Sequence, residues 1–144
     1  RALHRAGYPN QPRSTHRGDG LRLTDCWVTA AVRCAPPGNP PTTGERNACR
    51  HWLDEEFDRL PLVRVVVCLG GLAWTVMHRL LADRGVVVPR PRPRFAHGAH
   101  ALTSGPMLLA SYHPSQQNTF TGRLTEGMFD AVFAAARHSI GELG

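Results

Sequence analysis

Val63-Arg64-Val65-Val66-Val67-Cys68-Leu69 is a short run rich in β-branched residues, and it turns at Gly70-Gly71 into a stretch whose apolar residues recur at helical spacing. A strand that passes through glycines into an amphipathic helix opens a βαβ unit, and such units commit a chain to a parallel sheet with helices over its faces. Leu72, Ala73, Val76, Met77, Leu80 and Leu81 are the inward positions of that helix. Pro106 to Tyr112 reads as another strand. A last helix is expected from Thr125 to Ser139, with Met128, Phe129, Val132, Phe133 and Ala136 inward. Nearer the start, the apolar run Cys26-Trp27-Val28-Thr29-Ala30-Ala31-Val32 is bounded by turn formers and predicts a strand buried on both faces. Thr42-x-x-Glu45 has the form of a capping box. It opens a helix with Cys49, Trp52, Leu53, Phe57 and Leu60 on one face, stopped by Pro61. Arg1 to Ala6 reads as the tail of a helix ended at Gly7, and Tyr8 to Gly20 as a loop. Ala35 to Pro41 and Pro89 to Pro93 are too rich in proline for helix or central strand. The expected fold class is α/β, a three-layer α/β/α arrangement around a small parallel sheet.

The chain has 144 residues, which suits one domain with one core. No apolar run approaches the roughly 20 residues of a membrane-spanning helix, so a cytosolic protein is expected. Seventeen basic residues, all Arg, stand against 11 acidic ones, for a net charge of +6. Arg in place of Lys fits a GC-rich coding sequence. The excess of cations does not follow from that, and it points to a polyanion such as nucleic acid. Four cysteines could pair in a secreted protein, but nothing else in the chain looks secreted, which favours thiols or metal ligands.

In sheets of this kind, sites gather at the carboxyl ends of the strands. Here those ends are Arg33-Cys34, Leu69-Gly70-Gly71 and Tyr112-His113. The third leads into Ser111-Tyr112-His113-Pro114-Ser115-Gln116-Gln117-Asn118-Thr119-Phe120-Thr121-Gly122-Arg123-Leu124-Thr125. Pro114 forces the chain out of the sheet, and the residues after it are dense in hydrogen-bond donors. A histidine before proline is, taken alone, more often structural. The polar stretch that follows shifts the reading toward a binding loop.

This stretch resembles the His-Pro-Ser motif of uracil-DNA glycosylases. With Gln116-Gln117-Asn118 and Thr121-Gly122-Arg123-Leu124-Thr125 it is similar to family 5, the B-type enzymes. Leu3 to Gly7 with Asn10-Gln11-Pro12, Thr29 to Pro37, Leu69-Gly70 with Ala73, and Phe95-Ala96-His97-Gly98 extend the resemblance over nearly the whole chain. The resemblance implies a monomeric base-excision enzyme that hydrolyses the N-glycosidic bond of uracil, and of other deaminated bases such as hypoxanthine, in DNA. It makes His113 the group that stabilises the departing base. Ser115 and Gln116 would then meet phosphate, and Asn118 and Arg123 the DNA groove. Thr29 and Ala30 fall in the base pocket. Ala30 stands where related iron–sulfur glycosylases often carry a base-reading Asn, and its methyl group fits relaxed base choice.

The resemblance also implies a [4Fe–4S] cluster. Two of its ligands flank a proline-rich loop in these enzymes, and Cys34 and Cys49 match them. Cys26 and Cys68 read as thiols inside buried strands. The family's first core strand, its water-positioning motif and two further cluster ligands are expected upstream of Arg1. Residues 1–144 are therefore read as one domain incomplete at its N-terminus and inactive alone. Two other readings remain. One is a non-catalytic DNA-binding module of the same fold. The other is an α/β hydrolase using His113, for which there is no Gly-x-Ser-x-Gly elbow.

Overall fold

A computed structural model describes residues 1–33 and 42–142. In chain order the elements are α1 (Ala2–Arg5), α2 (Thr43–Asp58), β1 (Val65–Leu69), α3 (Gly71–Asp83), β2 (His100–Ala101), β3 (Met107–Ser111), α4 (Gln116–Phe120) and α5 (Glu126–Glu142). The start of α2 is a capping box: Thr42 accepts from the Glu45 amide and Glu45 accepts from the Thr42 amide. The Thr42 amide, and then the Thr42 hydroxyl, donate to the Glu45 carboxylate and hold it below its usual range.

The strands lie in the order β1-β3-β2. β1 and β3 are parallel, with Val65 opposite Met107 and Leu69 opposite Ser111. Side chains alternate across β3. Leu108 and Ala110 join Leu53, Cys68, Trp74, Met77, Leu80 and Leu81 in one cluster. Leu109 packs with Val132 and Ala136 of α5 on the other face. α2 and α3 thus cover one side of the sheet and α5 the other, giving the three layers. Leu80, Leu81 and Leu108 are fully buried, and each contributes roughly 1.5–3 kcal/mol of hydrophobic stabilisation. No helix among the described residues is long and apolar enough to cross a membrane.

Several expectations need correction. The sheet is mixed, because β2 pairs antiparallel to β3. Two residues are too few to show a strand period in a sequence. Cys26 to Val32 is not a strand; Trp27 and Val28 are 60% and 61% exposed. An apolar run becomes a strand only where its backbone finds a ladder partner. This segment instead ties its side chains to α2, where Glu56 accepts from both Thr29 and Arg33. Cys26 is accordingly not in a strand, although it packs at the edge of the cluster of Ala2, Tyr8 and Phe133. Trp52 faces outward, with Arg33 over its ring. On α3 the buried set includes Trp74 and His78, which helical periodicity alone did not select. The Ala35 to Pro41 loop lies outside the described residues.

Candidate functional site

The carboxyl ends of β1 and β3 meet directly. The Gly70 amide donates to the Ser111 carbonyl at 2.8 Å, just where β3 gives way to Tyr112 and His113. Gly70 has φ +97°, and a Cβ at that position would lie 3.5 Å from the His113 Cβ. Glycine is favoured there by the left-handed backbone, while the 3.5 Å separation is an ordinary van der Waals contact that brings the turn against His113. His113 therefore stands, solvent-exposed, above the β1–α3 turn.

What holds His113 is the loop after it. Its carbonyl accepts from the Ser115 amide at 2.8 Å and from the Asn118 side-chain amide at 2.9 Å. Ser115 caps α4, its hydroxyl oxygen accepting from the Asn118 amide at 3.3 Å. The Asn118 carbonyl accepts from the Leu124 amide at 2.9 Å, and Leu124 is 3% exposed. Asn118 thus bonds to both ends of the loop. Its side chain is engaged inside the loop, although the sequence reading assigned it to DNA. Gln116 is exposed in the first turn of α4, and Phe120 at the end of that helix is 84% exposed.

A second wall surrounds Tyr112. The Arg123 guanidinium lies 4.7 Å from the Tyr112 ring centroid. His97 and Phe95 lie 5.1 Å and 6.2 Å from it, ring to ring. His97 Nδ1 accepts from the Tyr112 amide at 3.2 Å, and its Nε2 donates to the Met128 carbonyl at 3.3 Å. Both ring nitrogens are used, so His97 ties the backbone leading to His113 onto α5. Phe95 approaches within 3.6 Å of where Gly71 would carry a Cβ. Tyr112, Phe95 and His97 were not singled out from the sequence as site residues. The available signal was Phe95-Ala96-His97-Gly98, an aromatic, a histidine and a glycine in an otherwise simple connection.

Thr29 and Ala30 are exposed on the irregular segment beside α2. Among the described residues no hydrogen bond, ion pair or ring contact joins them to the His113 loop. Cys34 lies outside the described residues. Cys49 is 3% exposed on α2, and its sulfur takes part in a disulfide. Cys68 is free and 1% exposed, and burial pushes its thiol up to about 12. Cys26 is free and half-buried, and burial raises its thiol also. A four-iron cluster takes four thiolates in one place. Among the described residues no group of three or more His, Cys, Asp or Glu side chains could hold a metal ion. The described residues do not complete such a site.

Residues 1–137 match the family model described as "Uracil DNA glycosylase superfamily". The Type-5 uracil-DNA glycosylase of Mycobacterium tuberculosis (strain CDC 1551 / Oshkosh) is 49% identical over 142 residues, covering 97% of this chain and 52% of that protein. That of Thermus thermophilus is 49% identical over 140 residues, covering 96% of this chain and 61% of that protein. That of Pyrobaculum aerophilum is 40% identical over 125 residues, covering 87% and 52%. The chain spans about half the length of the curated relatives it matches.

Proposed function

The chain belongs to the uracil DNA glycosylase superfamily, and from that premise we propose that the full-length protein carrying it hydrolyses the N-glycosidic bond of uracil in DNA. Other deaminated bases, hypoxanthine among them, are further substrates of the same site. The observation that carries this reading is His113, its carbonyl held by the Ser115 amide and the Asn118 side-chain amide at the joined carboxyl ends of two parallel strands.

Breaking the glycosidic bond leaves positive charge on the sugar and negative charge on the departing base. A donor fixed beside the base carbonyl stabilises that anion, and most strongly where water is excluded. His113 supplies the donor. Its backbone is fixed before the reaction, because Ser115 and Asn118 already bond its carbonyl. The base reaches such a group only after leaving the duplex stack or from a single strand. Exposed Phe120 at the end of α4 is an apolar wedge of the kind that holds a base step open. Ser115, Gln116 and Arg123 of the same loop meet phosphate and groove edges. Thr29 and Ala30 line the pocket from the α2 side once DNA is bound, and the protein acts as a monomer.

In the full-length protein, Cys34 and reduced Cys49 provide two thiolates of a [4Fe–4S] cluster, and residues outside this chain provide two more. The support is the spacing of these cysteines around a proline-rich loop and the burial of Cys49 on α2. Such a cluster would play a structural part, joining α2 through Cys49 to residues outside this chain.

The test is direct. The full-length protein, purified anaerobically, is assayed for free uracil released from uracil-containing single-stranded DNA and for iron content. Uracil release with four irons per chain is the expected result. DNA binding without release of any base would instead make the protein a non-catalytic DNA-binding module. Release without iron would remove the cluster and leave the glycosylase.

A further inference from the structure

From Arg84 to Thr125 the chain contains no Asp or Glu, and it contains five arginines: Arg84, Arg90, Arg92, Arg94 and Arg123. Arg84 is satisfied by Asp54 and Asp58 of α2. Arg123 lies over Tyr112 in the site described above. Arg90, Arg92 and Arg94 remain. All three are exposed, and among the described residues none of them makes an ion pair or side-chain hydrogen bond. Arg5, Arg33, Arg50 and Arg79, by contrast, each face a carboxylate within 4.0 Å.

The backbone between Arg92 and Arg94 is anchored to the core. The indole of Trp74, 1% exposed, donates to the Pro93 carbonyl at 2.9 Å. From Arg92 onward, burial alternates residue by residue: Pro93, Phe95 and His97 turn in, while Arg92, Arg94 and Ala96 turn out. Prolines on both sides of Arg92 limit the conformations available before any ligand arrives. The inward residues are the ones that build the wall of the site, since Phe95 and His97 both pack on Tyr112. One extended segment therefore lines the site with one edge and presents guanidinium groups to solvent with the other. Guanidinium groups bind phosphate oxygens in two-pronged fashion.

We propose that Arg90, Arg92 and Arg94 form a phosphate-binding track that grips the DNA strand to one side of the excised nucleotide. The track rests on the reading of this protein as a DNA glycosylase and extends its contact with DNA beyond the His113 loop. It gives the enzyme a preference for longer strands. A substrate that fills only the His113 loop misses the track, and a longer one engages both.

The test compares the full-length protein with R90S/R92S/R94S and with a control, R46S/R59S/R79S, which removes equal charge from α2, its C-terminal cap and α3. Binding to single-stranded DNA of about sixteen and about four nucleotides is measured over a range of salt, and uracil release is assayed in parallel. In the track variant, affinity for the long strand is expected to fall roughly tenfold, and the log–log salt slope to shrink by about two units, at about 0.7 per lost phosphate contact. Affinity for the short strand should stay within about twofold and kcat nearly constant. An unchanged slope for the long strand, or an equal loss in the control, overturns the track. If the parent protein binds DNA but releases no uracil, the glycosylase reading fails, and the binding comparison still judges the track.

Discussion

Two segments were read from the sequence as parts of one site, and they are held in different ways. The loop from Tyr112 to Leu124 is bonded largely to itself: Ser115 caps α4, Asn118 reaches back to His113 and forward to Leu124, and Leu124 is buried. The segment from Cys26 to Arg33 has Trp27 and Val28 exposed and is tied through Thr29 and Arg33 to a single carboxylate on α2. The first carries its own structural instructions within a dozen residues. The second takes its shape from whatever packs beside it. The difference shows why a polar, turn-rich loop was easier to interpret than an apolar run.

Four measurements sharpen or break that contrast. The largest effect is expected at His113. In the full-length protein, His113→Ala should lower single-turnover uracil release by roughly 10² to 10⁴, the range for one positioned polar or acid–base group. A rate within threefold of the parent removes His113 from the mechanism. Next comes the loop's anchor. Leu124→Ala should destabilise the full-length protein by about 2–5 kcal/mol in denaturant titration, the usual cost of emptying a buried leucine site. A loss below about 1 kcal/mol would show that the loop does not depend on its buried end.

A smaller effect is expected at Arg123, which is exposed and held over Tyr112 and, among the described residues, faces no carboxylate. Arg123→Ala should weaken DNA binding across sequences and reduce the salt slope by about one unit. An unchanged slope places the loop away from the DNA backbone. The smallest effect belongs to the other segment. Trp27→Ser should change the stability of the full-length protein by no more than about 0.5 kcal/mol, as for surface substitutions generally. A loss of several kcal/mol would mean that Trp27 is packed after all and that the contrast is false.

Residue patterns alone specified much of this chain. Thr42 and Glu45 announced the start of α2, because a capping box is complete within one helical turn. β1, α3, β3 and α5 followed from β-branched runs, glycines and helical periodicity. His113 was placed correctly at a strand end because Pro114 must leave the sheet. Other features depended on distant partners. β2 exists because two residues found the free edge of β3. Trp74 is buried under Pro93, and the wall of Phe95, His97 and Tyr112 joins a connecting segment to the end of a strand. Cys26 to Val32 had the apolar content of a strand but no ladder among the described residues to join. Caps and helical faces are settled by residues three or four positions apart. A strand, a buried indole or a wall of rings is settled by which remote backbone lies alongside, and that depends on packing across the whole molecule.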